Sequence, residues 1–191
     1  MINRIPVRLP SVFSAFVLFL FLVLNNPLHA SEREELRAWA GINLFVSFLV
    51  ANQDISTKKN IDGKLTLILV YNDNEKLSEE MRRHLEKVRS IRGTPIEIIT
   101  TNYDSINSFG DTPIAGIFLT QPLEEDIRSL IQFGIEKRVI VFSPFEGDVE
   151  IGVPAGIVVS SIILPYINLN TIKESKINIK ENFLEIAETY E

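Results

Sequence analysis

Seven consecutive residues, Leu65 to Tyr71, read LTLILVY and form an almost unbroken apolar run. A strand with one face in water alternates apolar and polar residues, whereas a strand covered on both faces does not. The run therefore predicts a strand at the centre of a parallel sheet. Such a strand needs helices packed against both faces of its sheet.

Segments of strand character and helix character alternate after this run. Further strands are predicted at residues 96–101, 115–120 and 139–142. Between them, one helix begins after Asn72 to Asn74 and another begins at Pro122. This order predicts a single α/β domain with a mainly parallel central sheet and helices on both faces, in a Rossmann-like or flavodoxin-like arrangement.

Both ends of this domain are predicted to be helical. Ser31 and Glu34 have the spacing of a capping box for a first helix. Its apolar face is predicted to contain Leu36, Trp39, Ala40, Asn43, Leu44 and Phe48. At the other end, Phe183, Leu184, Ala187 and Tyr190 recur at helical spacing and predict a C-terminal helix.

The first thirty residues have the order of a secretory signal peptide. Arg4 and Arg8 precede an apolar run from Val12 to Leu24, and Ala30 is a small residue at the expected cleavage point. Residues 1–30 are therefore predicted to be a signal peptide and residues 31–191 the periplasmic domain. An uncleaved N-terminal anchor is the alternative; after cleavage no stable membrane insertion is expected.

Charge and composition exclude several classes of function. The chain has 19 basic and 25 acidic side chains, and Arg4 and Arg8 are the only charged residues before position 31, which leaves a net charge of −8 beyond it. An acidic domain repels phosphate backbones, so no nucleic-acid partner is expected. The absence of cysteine excludes thiolate chemistry and disulfides. Because His84 is the only histidine after residue 30, no metal, cofactor or enzymatic activity is expected.

The fold class itself suggests a ligand crevice beyond the carboxyl ends of the strands. Polar residues follow each predicted strand at this edge, and helix N-termini there favour small anions or polar ligands. The candidate crevice residues are Asn72, Asp73, Thr101, Asn102, Thr120, Gln121 and Ser143. The alternative is that they are ordinary caps and loops, since every α/β sheet has such loops.

A second candidate site is a surface for protein contact in the segment after the fourth predicted strand. Phe145, Val149 and Ile151 lie there between acidic and turn-forming residues, without a helical or strand period. Apolar side chains that become desolvated at an interface contribute most of its binding energy. The alternative is that these residues pack into the core of the domain.

Two further segments carry a family resemblance. Arg92 to Ile98 reads RGTPIEI, and Ile167 to Ala187 reads INLNTIKESKINIKENFLEIA. Together with the N-terminal leader and the strand–helix–strand order, they resemble the YfiR-like periplasmic proteins over most of residues 35–190. Lys176 stands where that family usually has glycine, and the disulfides of its best-known member have no counterpart here.

The resemblance implies a periplasmic regulator in cyclic di-GMP signalling that contacts the periplasmic part of a membrane-bound diguanylate cyclase. The sequence thus predicts a non-enzymatic protein that acts by contact on a membrane-bound signalling protein, of cyclase or sensor-kinase type. The alternative is a periplasmic component that binds a small ligand for a transport or sensing system. The oligomeric state, including a homodimer, stays open.

Overall fold

The computed structural model describes residues 27–123 and 126–191. The predicted signal peptide therefore lies almost wholly outside the described residues. The chain divides into two units, residues 1–33 and residues 34–191. In the first unit, residues 27–33 are helical; the second unit contains the sheet.

The second unit is built on an eight-stranded sheet in the order β2-β3-β1-β4-β5-β6-β7-β8. The strands are β1 (Leu65–Tyr71), β2 (Ser90–Ile91), β3 (Thr94–Asn102), β4 (Gly116–Leu119), β5 (Ile140–Ser143), β6 (Ala155–Val159), β7 (Ile163–Asn168) and β8 (Glu188–Tyr190). The five strands from β3 to β6 in this order are parallel to one another, β2 and β7 are antiparallel to their inner neighbours, and β8 is parallel to β7.

The parallel strands follow one another across the sheet in the flavodoxin-like order. The chain runs from β1 to β3 on one side and then crosses to β4 on the other side. This confirms the prediction of a mainly parallel α/β sheet. The run at residues 65–71 is the interior strand β1, and Leu67 and Leu69 are completely buried, as consecutive apolar residues require.

The helices are α1 (Pro27–Ala51), α2 (Glu75–Leu85), α3 (Ile127–Lys137), α4 (Leu169–Glu174) and α5 (Glu181–Leu184), and two 3-10 turns span Ile55–Lys58 and Tyr103–Phe109. Asn74 caps α2 by accepting a hydrogen bond from the backbone N–H of Leu77 at 3.1 Å. In the described part of the chain, no helix combines the length and hydrophobicity that a membrane span requires.

The buried face of α1 agrees only in part with the predicted one. Of the six predicted residues, Phe48 is fully buried and three pack partly buried against the core, namely Trp39, Ala40 and Leu44. The prediction is wrong for Leu36, which is 70% exposed, and for Asn43, and it missed the buried Ala38, Ile42 and Phe45. The helix is apolar nearly all round at its C-terminal end, so its periodicity does not identify one side. The sheet decides the orientation, since the rings of Phe45 and Phe48 pack against Phe142 with centroids 5.8 and 5.4 Å apart.

The predicted C-terminal helix is short. It ends at Leu184, and residues Glu188–Tyr190 form the edge strand β8, which pairs in parallel with β7. The prediction of a helix that continues to Tyr190 is therefore wrong. Pairing with the exposed edge of β7 supplies backbone hydrogen bonds that a longer helix would not provide to that edge.

Candidate functional site

The crevice at the carboxyl edge between β1 and β4 is filled by one of the protein's own side chains. The amide oxygen of Gln121 accepts hydrogen bonds from three consecutive backbone N–H groups, those of Asn72, Asp73 and Asn74, at 3.0, 3.2 and 2.9 Å. Its amide nitrogen donates to the carboxylate of Asp73. Consecutive N–H groups of this kind form a binding place for an anionic oxygen, and here Gln121 satisfies them.

The other predicted crevice residues also have partners within the fold. The side chain of Asn102 donates to the carbonyl oxygen of Asn72 at 2.6 Å. The hydroxyl of Thr120 donates to the carbonyl oxygen of Val70, and the buried Thr101 donates to its neighbour's carbonyl oxygen. A ligand at this position would have to displace Gln121 and break a set of internal hydrogen bonds. The residues predicted to line the crevice therefore lie at this edge of the sheet, but their internal hydrogen bonds fill it and it is not an open pocket.

Ser143 belongs to a different part of the same edge, where a cavity of about 150 Å³ opens beyond β5 and β6. We call it the carboxyl-edge cavity. It combines three charged side chains and a phenol with apolar side chains from β6 and from the loop after β5. Its lining residues are Arg37, Phe145, Glu146, Gly147, Glu150, Ile157, Val158, Val159 and Tyr166.

A close approach of α1 to the end of β5 positions Arg37 in this cavity. A β-carbon added to Gly41 would lie 2.8 Å from Cβ of Pro144, so the helix can approach this closely only with glycine there. One turn earlier, Nε of Arg37 donates to the carbonyl oxygen of Pro144 at 2.8 Å. Within the described residues, no carboxylate forms an ion pair with Arg37, and its guanidinium retains donors for a ligand.

The loop after β5 is fixed by a small hydrogen-bonded cluster. The hydroxyl of Ser143 donates to the carboxylate of Asp148 and accepts from the backbone N–H of Phe145 at 3.2 Å. Burial raises the pKa of Asp148, the hydrogen bond from Ser143 opposes that shift, and the nearby charge of Glu150 adds to it. The loop also packs against Gly156, where an added β-carbon would lie 2.7 Å from Cγ2 of Val149.

Three oxygen-bearing side chains line the same cavity as Arg37. Glu146 and Glu150 are exposed and Tyr166 is half-buried. Burial raises the pKa of Tyr166, and the neighbouring charge of Glu150 and a hydrogen bond to it act in the same direction. The cavity therefore presents one basic side chain, Arg37, two acidic side chains, Glu146 and Glu150, and one neutral hydroxyl, next to the apolar side chains of Phe145 and Ile157.

The predicted contact surface is wrong for two of its three residues. Phe145 is only 6% exposed and Val149 only 1%, because both pack inward beneath the loop, whereas Ile151 is 42% exposed. Sequence reasoning did not find Arg37, Glu150 or Tyr166 as cavity residues. They lie on three elements far apart in the chain, and no motif links them.

The described part of the chain contains no group of three or more histidine or acidic side chains that could bind a metal ion. His84 packs edge-on against Trp39, with ring centroids 5.6 Å apart, and its Nε2 lies 3.3 Å from the side-chain oxygen of Asn43. It therefore contributes to the contact between α1 and α2.

No family model and no curated protein matches this sequence. The fold is similar to those of several solved structures. One is the ABC domain in complex with L-Trp from Streptococcus pneumonia, with a TM-score of 0.52 and 15% identity over 78% of this chain. Another is a conserved domain protein from Vibrio cholerae O1 biovar eltor strain N16961, with a TM-score of 0.52 and 15% identity over 71% of this chain.

This chain covers 59% and 57% of those two structures, so it is similar to a part of each. At this level of identity the similarity establishes the α/β fold and nothing about activity.

Proposed function

We propose that this protein is a non-enzymatic binding domain whose ligand is a small zwitterion, such as an amino acid, held at the carboxyl-edge cavity. One observation carries the proposal: Arg37 lines one cavity with the acidic residues Glu146 and Glu150, and neither of them forms an ion pair with it. A ligand with a carboxylate and an ammonium group would complement both charges.

The rest of the cavity fits the same ligand class. Phe145 and Ile157 provide an apolar wall for a side chain, while the Tyr166 hydroxyl can hydrogen-bond a polar group. The volume of about 150 Å³ is below the ~300–1,000 Å³ usual for drug-sized ligands, which favours a compact molecule. The L-Trp bound to one of the similar structures is a zwitterion of this class, which supports the proposal.

The test is thermal unfolding of the protein with L-leucine, L-phenylalanine or L-tryptophan. Desamino and decarboxylated analogues of each amino acid serve as comparison ligands. At a ligand concentration about 100 times Kd, binding stabilises the fold by ~2.7 kcal/mol, or roughly 5–11 °C for a domain of this size. We expect stabilisation only by ligands that carry both charged groups.

Arg37→Met should weaken the binding of the stabilising ligand about tenfold or more, because a charge-assisted contact is lost. Arg128→Met removes the same charge from the exposed face of α3 and serves as the matched control. The proposal fails if no amino acid shifts the unfolding temperature, or if both variants respond to ligand as the unaltered protein does.

A second function, regulation by contact with a membrane-bound signalling protein of cyclase or sensor-kinase type, is favoured by a different observation. The hairpin between β6 and β7 exposes three apolar side chains, those of Val159, Ile162 and Ile163. Val159 also lines the carboxyl-edge cavity, so a partner on this hairpin would sense an occupied cavity directly. A periplasmic location belongs to this proposal, because the signalling partner must present a periplasmic domain.

Affinity capture from membrane extracts tests the regulatory role. A membrane protein with a periplasmic domain should co-purify with a protein that begins at Ser31. The variant Ile162→Asp/Ile163→Asp should bind it at least about tenfold more weakly, since apolar anchors dominate interface energies. Ile61→Asp changes a fully exposed isoleucine elsewhere and is the control. Equal capture by both variants would rule out the hairpin as the contact surface.

A further inference from the structure

A second cavity, of about 180 Å³, lies at the amino edge of the sheet, opposite the carboxyl-edge cavity. We call it the amino-edge cavity. It lies where α1 ends and where the chain enters β5. Its lining residues are Asn52, Asp54, Thr57, Lys58, Arg138, Lys176 and Ile177.

Cations dominate this cavity although the chain as a whole carries a net charge of −6. Lys58, Arg138 and Lys176 reach it from three separate segments, and Asp54 is the single acidic residue in its lining. The carboxylate of Asp54 already accepts a hydrogen bond from the side chain of Asn178. No cation of the three forms an ion pair with any residue in 27–123 or 126–191.

Lys58 is the most constrained of the three cations. It is half-buried, and its Nζ donates to the carbonyl oxygen of Lys137 at 2.9 Å. Burial lowers the pKa of Lys58, the charge of Arg138 lowers it further, and Asp54 acts in the opposite direction. A half-buried ammonium beside a second cation is stabilised when an anion binds next to both.

The other two cations occupy backbone positions that usually contain glycine. Arg138 follows α3 and Lys176 closely follows α4, and both have a left-handed φ of 53°. Glycine is the common residue at such helix ends because a β-carbon there costs ~1–2 kcal/mol. A helix C-terminus does favour a cation. That preference does not explain why both side chains converge on one cavity with Lys58.

We infer that the amino-edge cavity binds a small oxyanion of the phosphate type. Lys58, Arg138 and Lys176 would provide the positive charge of the site from three separate segments, and the guanidinium of Arg138 can hydrogen-bond two oxygens at once. The cavity volume of about 180 Å³ suits a single phosphate group better than a nucleotide. The group could be free phosphate or the headgroup phosphate of an anionic lipid. The inference does not depend on the proposed function.

Isothermal titration calorimetry with inorganic phosphate, against chloride at equal ionic strength, tests the free ion. Cosedimentation with phosphatidylcholine vesicles containing phosphatidylglycerol tests the lipid headgroup. Arg138→Asn/Lys176→Asn removes two charges and keeps a residue that tolerates the left-handed backbone. Lys87→Asn/Lys173→Asn removes two exposed charges outside the cavity and is the control.

We expect the cavity variant to weaken phosphate or vesicle binding about tenfold or more, and the control to change it less than about twofold. Binding of phosphate alone, or of vesicles alone, identifies the source of the group. The inference is overturned if neither binds at millimolar phosphate or lipid, or if both double variants lose affinity equally. Should the cavity variant fail to fold, Lys58→Gln gives the same comparison without changing a left-handed residue.

Discussion

Truncation of Phe145 distinguishes a core residue from a surface contact. The side chain is 6% exposed and belongs to the buried apolar cluster, so Phe145→Ala removes a ring that is almost fully shielded from water. Phe→Ala changes in cores cost ~3–5 kcal/mol. Because part of the ring lines the carboxyl-edge cavity, water can fill the space left behind, and we expect the lower end, about 3 kcal/mol.

The measurement is urea unfolding at neutral pH, with thermal unfolding beside it. A loss of about 3 kcal/mol corresponds to a fall of roughly 6–12 °C in Tm for a domain of this size. Ile151→Ala, in the same loop but 42% exposed, is the control and should cost under ~1 kcal/mol. If Phe145→Ala does not fold, Phe145→Leu should still lower the free energy of unfolding measurably, by up to ~1.5 kcal/mol. A loss below ~1 kcal/mol for Phe145→Ala would refute the buried position.

Two further predictions concern Asp148 and the leader sequence. Burial raises the pKa of Asp148 above its ordinary value of 3.8, so the folded state holds this proton more tightly than the unfolded state. The contribution of Asp148 to the free energy of unfolding therefore falls as pH rises from about 3.8 through its folded pKa. Asp148→Asn should therefore gain stability relative to the unaltered protein over that window in urea titrations from pH 3 to 8, and a constant difference would contradict the assigned burial. The N-terminal residue of exported protein should be Ser31 by mass spectrometry, and a full-length species held in the inner membrane would indicate an anchor instead.

The central part of the fold could be predicted from the sequence. The run from Leu65 to Tyr71 has too few polar residues for a strand with a solvent-exposed face, so the strand is expected to be covered on both faces. The start of α2 is a local feature, set by the adjacent Asn74. The helix predicted to begin at Pro122 begins instead at Ile127, as α3, so that predicted start is wrong. The mainly parallel sheet follows from these elements in order.

The site could be predicted only in part, since local pattern does not say which distant residues meet. The residues predicted at the carboxyl edge of β1 and β4 do lie there. Their crevice is filled by Gln121, which is separated from Asn72 by 49 positions in the chain. No periodicity indicates that a glutamine amide will satisfy three backbone N–H groups that distant in sequence.

The tertiary structure alone decided the face of α1, the C-terminal strand and both cavities. Phe45 faces inward because it packs against the rings of Phe118 in β4 and Phe142 in β5. Residues Glu188–Tyr190 form a strand because the edge of β7 would otherwise be unpaired. Arg37 reaches the carbonyl of Pro144, 107 positions away, because Gly41 lets two backbones approach. Local sequence determines the strands at the centre of the sheet, whereas the C-terminal strand and these contacts depend on the packing of elements already assembled.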